Sequence, residues 1–119
     1  MRALVVDDSS VMRKVMMGAL TRAGIAEIEQ AADGVQAVEA CQKGKFDLVL
    51  MDWNMPNMLG IDALKAIRTQ DKKTPIIMVT TKGQETDRVW GLRQGAVDYL
   101  VKPVSAQVLV EKAQAALAT

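Results

Sequence analysis

The sequence predicts an α/β fold in which helices cover both faces of one five-stranded parallel sheet, a three-layer sandwich. The prediction depends on two observations. Short apolar runs alternate with segments of helical periodicity, and this alternation occurs five times along the chain. Four of the runs contain no polar residues, which is typical of strands that are covered on both faces.

The five predicted strands differ in polarity. The continuous apolar runs are ALVV at 3–6, LVLM at 48–51, IIMV at 76–79 and YLV at 99–101. The remaining candidate, EIEQAA at 27–32, alternates polar and apolar residues and so indicates an edge strand. With right-handed crossovers and the second strand at the edge, the favoured order is 2-1-3-4-5, a doubly wound, flavodoxin-like sheet.

Five helices are predicted between and after these strands. They cover 10–23, 34–43, 60–69, 85–94 and 105–117. Three of them are followed by stop signals, namely Gly24, Gly44 and Gly95. Ser105 is the predicted N-cap of the last helix. In the first helix, one face is predicted to carry Val11, Val15, Met16 and Ala19.

Length and charge indicate one domain, residues 1–119, and exclude several classes of protein. A chain of 119 residues can bury a sizeable core. The net charge is +1, from 15 basic and 14 acidic residues, so neither nucleic acid nor an anionic membrane is an expected partner. No apolar run approaches the roughly 18 residues that span a bilayer, and no targeting segment is recognised. We therefore expect a cytoplasmic protein.

The cysteine, histidine and methionine content further limits the kinds of functional site that the chain can contain. Cys41 is the only cysteine, which indicates a reducing compartment, and its helical context predicts a small buried hydrophobe. Histidine is absent, which excludes zinc sites that use histidine, Ser-His-Asp hydrolysis and a role as phosphohistidine donor. The eight methionines are predicted to fill the core.

Polar side chains follow the predicted strands at their carboxyl ends, the edge where doubly wound sheets bind ligands. The residues are Asp7 and Asp8 after the first strand, Asp52 after the third, Thr80 at the fourth and Lys102 after the fifth. Each alone could be a helix cap or a turn residue. Because the strands are predicted neighbours, we expect these groups to converge on one site.

The chemistry of such a cluster follows from its charges. Three crowded carboxylates repel one another, and Mg²⁺, which prefers oxygen ligands, relieves the repulsion. Three carboxylates, one Mg²⁺ and one lysine sum to zero formal charge. Asp52 can then attack a phosphoryl group, while Lys102 and the Thr80 hydroxyl stabilise its oxygens. An ionised carboxylate needs no general base.

Four ordered motifs, VVDDSS, LMDWNMPNM, VTT and YLVKP, resemble the receiver domains of bacterial two-component response regulators, above all the single-domain chemotaxis (CheY) type. The resemblance spans essentially the whole chain. It implies that Asp52 is the phosphoacceptor and that Thr80 and Lys102 bind the phosphoryl group. It also implies a Mg²⁺ site formed by Asp7, Asp8, Asp52 and the backbone carbonyl of Asn54.

The resemblance also implies a switch and a partner surface. Tyr99 is similar to the aromatic residue that moves together with Thr80 on phosphorylation, and Asn54 and Lys82 occupy positions that tune dephosphorylation. The implied partner surface spans the fourth helix, fifth strand and fifth helix and includes Trp90, Tyr99 and Lys102. Trp90 lies off the Val89–Leu92–Ala96 stripe; it is either an exposed anchor or partly packed against neighbouring side chains.

The function implied is that of a stand-alone monomeric signalling protein, not an enzyme with a separate substrate. It accepts its phosphoryl group from a CheA-like sensor histidine kinase, catalyses its own dephosphorylation, and binds a flagellar motor switch or other motility protein. A phosphatase is a further candidate partner. A phosphorelay shuttle and a pilus-motility receiver stay open as alternatives.

Two other classes of protein fit the sequence less well. An aspartyl-nucleophile phosphatase of the haloacid dehalogenase type needs a second Asp where this chain has Asn54. An FMN-binding module needs a Ser/Thr-rich first loop, where this chain has acidic residues.

Leu59 departs from the family pattern, which commonly has Asp-Gly where this chain has Leu59-Gly60. Loss of a capping side chain there costs about 1 kcal/mol. We expect either that Asn57 compensates or that Leu59 makes an apolar contact.

Overall fold

The computed structural model describes residues 1–118 and contains one five-stranded sheet. The strands are β1 (Arg2–Val6), β2 (Glu27–Ala31), β3 (Leu48–Met51), β4 (Ile76–Thr80) and β5 (Asp98–Val101). The helices are α1 (Ser10–Arg22), α2 (Gly34–Lys43), α3 (Gly60–Arg68), α4 (Glu85–Arg93) and α5 (Ala106–Leu117). The strands pair in parallel in the order β2-β1-β3-β4-β5. The predicted fold and strand order are confirmed.

Burial along the strands explains their sequence patterns. Every residue of β3 and β4 is buried, whereas β2 buries only Ala31. Successive side chains of a strand point to opposite faces, so strands covered on both faces must be apolar throughout. Strand β2 pairs only with β1, which is why it tolerates Glu27 and Glu29.

Two hydrophobic cores lie on opposite faces of the sheet. One contains side chains of α1 and α5, among them Met16, Leu20 and Leu109. The other contains side chains of α2 and α3, among them Ala37 and Leu64, with the α4 residue Leu92 packed against it. The helices thus fix the sheet from both sides and leave the carboxyl ends of its strands as one edge.

Helix ends follow the predicted signals. Ser105 caps α5, because its hydroxyl accepts a hydrogen bond from the Val108 N–H at 3.1 Å. Ser9 and Asp33 cap α1 and α2 in the same way. Gly24 and Gly95 follow their helices with φ of 98° and 113°, the left-handed region that favours glycine.

The predicted core face of α1 is partly wrong. Met16 and Ala19 are buried, but Val11 and Val15 are 69% and 38% exposed. Val11 and Met16 are five residues apart, which places them roughly 140° apart around a helix of 3.6 residues per turn. The helix turns Met16, Ala19 and Leu20 towards the sheet and α5, and this leaves the two valines on its outer side.

Cys41 is half-buried and packs against the core, and its burial raises the pKa of the thiol to about 11. It is therefore a weak nucleophile, as its predicted packing role requires. Of the eight methionines predicted to fill the core, Met16, Met51, Met55 and Met78 are buried, whereas the prediction is wrong for Met1, which is 66% exposed. Within residues 1–118, none of the helices is long and apolar enough to cross a membrane.

Candidate functional site

Backbone hydrogen bonds bring the ends of four neighbouring strands together. The Asp52 N–H donates to the Val6 carbonyl at 2.9 Å, which continues the pairing of β1 and β3 by one residue. The Lys102 N–H donates to the Thr80 carbonyl at 2.8 Å and continues β4 and β5 in the same way. The side chains that follow the apolar runs are thus carried to one edge of the sheet.

Asp7, Asp8 and Asp52 form a carboxylate cluster at this edge. Each offers one oxygen, and these three oxygens lie within 4.8 Å of one another. Asp7 and Asp52 are only 1% and 6% exposed, whereas Asp8 is exposed. Buried carboxylates are costly unless charges and hydrogen bonds compensate them, so the cluster calls for positive charge.

Lys102 supplies part of this positive charge. Its Nζ donates to Asp7 Oδ2 at 2.7 Å and lies 3.4 Å from Asp52 Oδ2. Its side chain is only 14% exposed. With three carboxylates and one ammonium, the cluster retains a formal charge of −2, which one divalent cation offsets. Mg²⁺ binds carboxylate oxygens and water, so the donor set fits this ion.

Neighbouring backbone groups orient the two buried carboxylates. Asp7 Oδ1 accepts the Ser9 N–H at 2.9 Å, and Asp52 Oδ1 accepts the Trp53 N–H at 2.7 Å. In both residues Oδ2 is the oxygen that faces Lys102. In each carboxylate, the backbone bond therefore fixes Oδ1, while Oδ2 is directed towards the Lys102 ammonium. Asn54, the predicted carbonyl ligand, is exposed in the loop just after Asp52.

Thr80 lies at the end of β4 and is fully buried. Its Oγ1 accepts the Lys82 N–H at 3.3 Å, and accepting this bond leaves the hydroxyl proton available for donation. The Lys82 carbonyl in turn accepts the Tyr99 hydroxyl at 2.8 Å. A single residue, Lys82, thus connects the predicted phosphoryl-binding threonine with the predicted switch tyrosine.

Tyr99 points into the protein and is only 5% exposed. Its ring meets the Trp53 ring edge to face, with centroids 6.3 Å apart and an interplanar angle of 75°. Burial raises the pKa of Tyr99 to about 12, and the charges of Asp87 and Asp52 add to the shift. The Lys82 Nζ lies 5.4 Å from the centroid of the Trp53 ring.

Of the three residues predicted for the partner surface, only Trp90 is exposed. Its exposed fraction is 44%, and the Lys65 Nζ lies 5.1 Å from the centroid of its ring. Tyr99 is buried against Trp53, and Lys102 is bonded into the carboxylate cluster. In this conformation neither can anchor a partner. Val89, predicted on the packed stripe of α4, is 38% exposed.

The loop between β3 and α3 is held by residues that sequence reasoning assigned wrongly or did not assign. Asn57 has a positive φ of 69°, and its Nδ2 donates to Asp33 Oδ2 at 2.6 Å. The Gln36 N–H and this Asn57 bond lower the Asp33 pKa. Asn57 therefore does not replace the missing cap of α3. Leu59 occupies that cap position without a side-chain bond and is 43% exposed.

Gly60 closes this loop onto the strand. Its N–H donates to the Trp53 carbonyl at 2.8 Å, and a Cβ at this position would lie 1.8 Å from the Asp52 carbonyl oxygen. Only glycine permits this approach. The contacts of this loop with the start of α2 involve residues that are distant in the sequence. A sequence pattern carries no signal for such pairs.

Comparison with known sequences agrees with this geometry. Residues 3–114 match the family described as response regulator receiver domain. Chemotaxis protein CheY1 of Helicobacter pylori is 42% identical over 122 residues, covering 100% of this chain and 98% of that protein. The chemotaxis protein CheY homolog of Campylobacter jejuni is 43% identical, covering 100% of this chain and 94% of that protein.

Solved structures show the same architecture. Chemotaxis response regulator CheY4 of Vibrio cholerae superposes with a TM-score of 0.89 at 40% identity and covers 98% of each chain. The receiver domain of Francisella response regulator 1452 has a TM-score of 0.91 at 29% identity, covering 98% of this chain and 96% of that one. Since sequence and fold match over nearly the full length, the chain belongs to the response regulator receiver family.

Proposed function

We propose that this receiver accepts a phosphoryl group on Asp52 from a sensor histidine kinase, in a reaction that requires Mg²⁺, and signals by binding partners differently once phosphorylated. One observation supports the proposal most strongly. The Asp52 carboxylate is nearly buried, shares a cluster with two other carboxylates, and has Oδ2 within 3.4 Å of the Lys102 ammonium.

The proposed step is a displacement at phosphorus. An Asp52 carboxylate oxygen attacks, the bond from phosphorus to the donor's imidazole nitrogen breaks, and that nitrogen retains the electron pair. Lys102 and the Thr80 hydroxyl bind the phosphoryl oxygens and hold them in place. Asp7, Asp8, Asp52 and the Asn54 carbonyl would hold Mg²⁺, which would supply positive charge to offset those oxygens.

Water later hydrolyses the acyl phosphate on Asp52. Because both reactions occur on the chain's own aspartate, the chain catalyses only its own modification. We assign to Asn54 and Lys82 the tuning of this hydrolysis, because Asn54 follows Asp52 in an exposed loop and Lys82 follows Thr80. An aspartyl phosphatase is the remote alternative. Such an enzyme needs an acid-base carboxylate where Asn54 stands, and an amide cannot exchange protons in that role.

The proposed output is chemotaxis or a related motility system, supported by relatives that are named chemotaxis proteins. The partners would be a CheA-like kinase, a motor-switch or other motility protein, and a phosphatase. We place the protein in the cytoplasm as a monomer. Cys41, the only cysteine, fits a reducing compartment. A phosphorelay shuttle and a pilus-motility receiver are the alternatives.

The acceptor reaction is tested with a small acyl phosphate, Mg²⁺ and intact-protein mass spectrometry. We expect a gain of one phosphoryl group that disappears with a chelator and in Asp52→Asn. Asp62→Asn, which changes an exposed carboxylate on α3, is the matched control and should be phosphorylated normally. A gain that persists in Asp52→Asn would refute the proposal.

The output is tested by comparing the binding of phosphorylated and unphosphorylated protein to three candidates. These are a flagellar motor-switch protein, a pilus-motor protein and a histidine phosphotransfer domain. Tighter binding of the phosphorylated form to the motor-switch protein is expected. Phosphoryl transfer onward to the phosphotransfer domain, without a difference in motor binding, would favour the shuttle.

A further inference from the structure

We propose that Gly91 controls how Tyr99 is positioned: the missing side chain on α4 leaves the space in which the tyrosine ring lies. Gly91 is buried in the last turn of α4, which ends at Arg93. Glycine inside a helix is unfavourable relative to alanine, because its backbone loses more conformational freedom on folding. A glycine at this position is therefore expected to serve a packing requirement.

The packing requirement is visible at the Tyr99 ring. A Cβ added to Gly91 would lie 3.0 Å from Cδ2 and 3.1 Å from Cε2 of Tyr99. Carbon atoms in contact prefer about 3.5–4.0 Å, so this methyl group would press on the ring edge. The next nearest atom, Met78 Cγ, is 3.9 Å away and would not be crowded. The added group would thus act on Tyr99 selectively.

The ring is also held on its other sides, so a small displacement disturbs specific contacts. The Tyr99 hydroxyl donates to the Lys82 carbonyl at 2.8 Å, and Trp53 meets the ring edge to face. Side chains occupy discrete staggered rotamers, and a close-packed core is only slightly compressible. Crowding at position 91 therefore favours the rotation of Tyr99 out of its buried site.

This inference concerns the unphosphorylated protein, and only its consequence depends on the proposed function. If Tyr99 is part of the switch, Gly91 favours the buried ring before any phosphoryl group is present, and alanine at this position reduces that population. Partner binding that requires the buried ring would then weaken without any change to the carboxylate cluster.

Fluorine NMR tests the inference directly, because Tyr99 is the only tyrosine of the chain. Protein labelled with 3-fluorotyrosine gives a signal from this ring alone, and a soluble gadolinium chelate reports its exposure. In unphosphorylated Gly91→Ala we expect several-fold greater paramagnetic relaxation than in the parent. The control is Gly18→Ala on α1, where an added Cβ meets nothing within 4 Å; its signal should not change. An unchanged signal in Gly91→Ala would overturn the inference.

A double-mutant cycle tests whether the ring itself is the crowded partner. Gly91→Ala should lower the stability of the parent but raise it in a Tyr99→Ala background, where alanine is expected to act as a better helix former, as it is at position 18. If Gly91→Ala alone does not fold, the double variant should still fold. Equal effects of Gly91→Ala in both backgrounds would contradict the inference. Neither experiment uses phosphate, so failure here leaves the proposed phosphorylation of Asp52 standing.

Discussion

Lys102 shows how a single residue balances the carboxylate cluster. Its ammonium is closer to Asp7 than to Asp52, at 2.7 Å against 3.4 Å. The shorter bond, to Asp7, holds the lysine in place. The longer contact, to Asp52, binds that oxygen more weakly and leaves it accessible to react. A cation arranged in this way can hold the site together and still contact an incoming phosphoryl oxygen.

Replacing Lys102 with methionine should slow phosphorylation by a small acyl phosphate about tenfold to hundredfold. This factor corresponds to the loss of one charged hydrogen bond, which contributes about 1.5–3 kcal/mol. The rate is measured by intact mass over time at saturating Mg²⁺. Lys112→Met removes an exposed lysine that pairs with Asp98, and it is the matched control. A Lys102→Met rate equal to that of the control would contradict this role.

Among the glycines, Gly60 is the one at which an added Cβ would make the shortest contact. In Gly60→Ala the new Cβ would meet the Asp52 carbonyl oxygen at 1.8 Å, and both partners are backbone. We expect a loss of about 3 kcal/mol in the free energy of unfolding, because overpacking against backbone cannot relax. Urea unfolding measures the loss. An unchanged midpoint would show that the loop rearranges freely.

At the scale of elements, α3 begins without a capping side chain. Its cap position, Leu59, has extended backbone and no side-chain hydrogen bond. The side chain is 43% exposed, so it contributes little to the core. The helix is therefore held by its buried face, which carries Ile61, Leu64 and Ile67, and by the closure at Gly60.

Leu59→Asp should stabilise the protein by about 1 kcal/mol, because an aspartate at the cap accepts a free N–H of the first turn. Leu59→Ala, which removes the leucine without adding a cap, separates capping from the loss of exposed apolar surface. Urea unfolding of both variants gives the comparison. Equal stabilities of the two variants would show that α3 has no use for a cap.

The turn between α3 and β4 depends on Asp71. The Thr74 hydroxyl and the N–H groups of Lys73 and Thr74 donate to its carboxylate. These bonds, the hydroxyl foremost, lower the Asp71 pKa from 3.8 to about 2. Because the pKa is lower in the folded state, the ionised carboxylate stabilises the fold above about pH 4, and this stabilisation is lost as the pH falls through 2.

Asp71→Asn should therefore lower the free energy of unfolding by about 1 kcal/mol at pH 6, a value reduced by solvent screening at this half-exposed site. The difference from the parent should shrink below pH 4 and nearly vanish near pH 2. Thermal unfolding across this range provides the measurement. If the stability difference between parent and variant stayed constant down to pH 2, ionisation of Asp71 could not be its cause.

For the whole molecule, the sequence predicted the features that depend on local hydrophobic patterns, namely the buried strands and their order. Strands covered on both faces must be apolar throughout, so β3 and β4 could be predicted directly from their sequences. The adjacent positions of β1 and β3 in the sheet then bring Asp7 and Asp52 together. The outward face of α1 could not be predicted, since valines are equally compatible with either side of an amphipathic helix. Val11 and Val15 were accordingly assigned to the core.

Contacts between side chains on separate elements could not be predicted from the sequence, for a different reason. The bond from Asn57 to Asp33 and the fit of Tyr99 beside Gly91 depend on the three-dimensional distance between side chains on separate elements. Sequence spacing contains no measure of that distance. The candidate site was predictable because strand ends share one edge, whereas the inward position of Tyr99 depends on packing that no local pattern encodes.

In the proposed reaction, Asp52 is the residue that carries the phosphoryl group. Borohydride reduces an acyl phosphate to an alcohol and so converts a phosphorylated aspartate into homoserine, which peptide mass spectrometry then locates. After incubation with an acyl phosphate and Mg²⁺, we predict homoserine at position 52 alone. Homoserine at position 7 or 8, or at no position, would contradict the account.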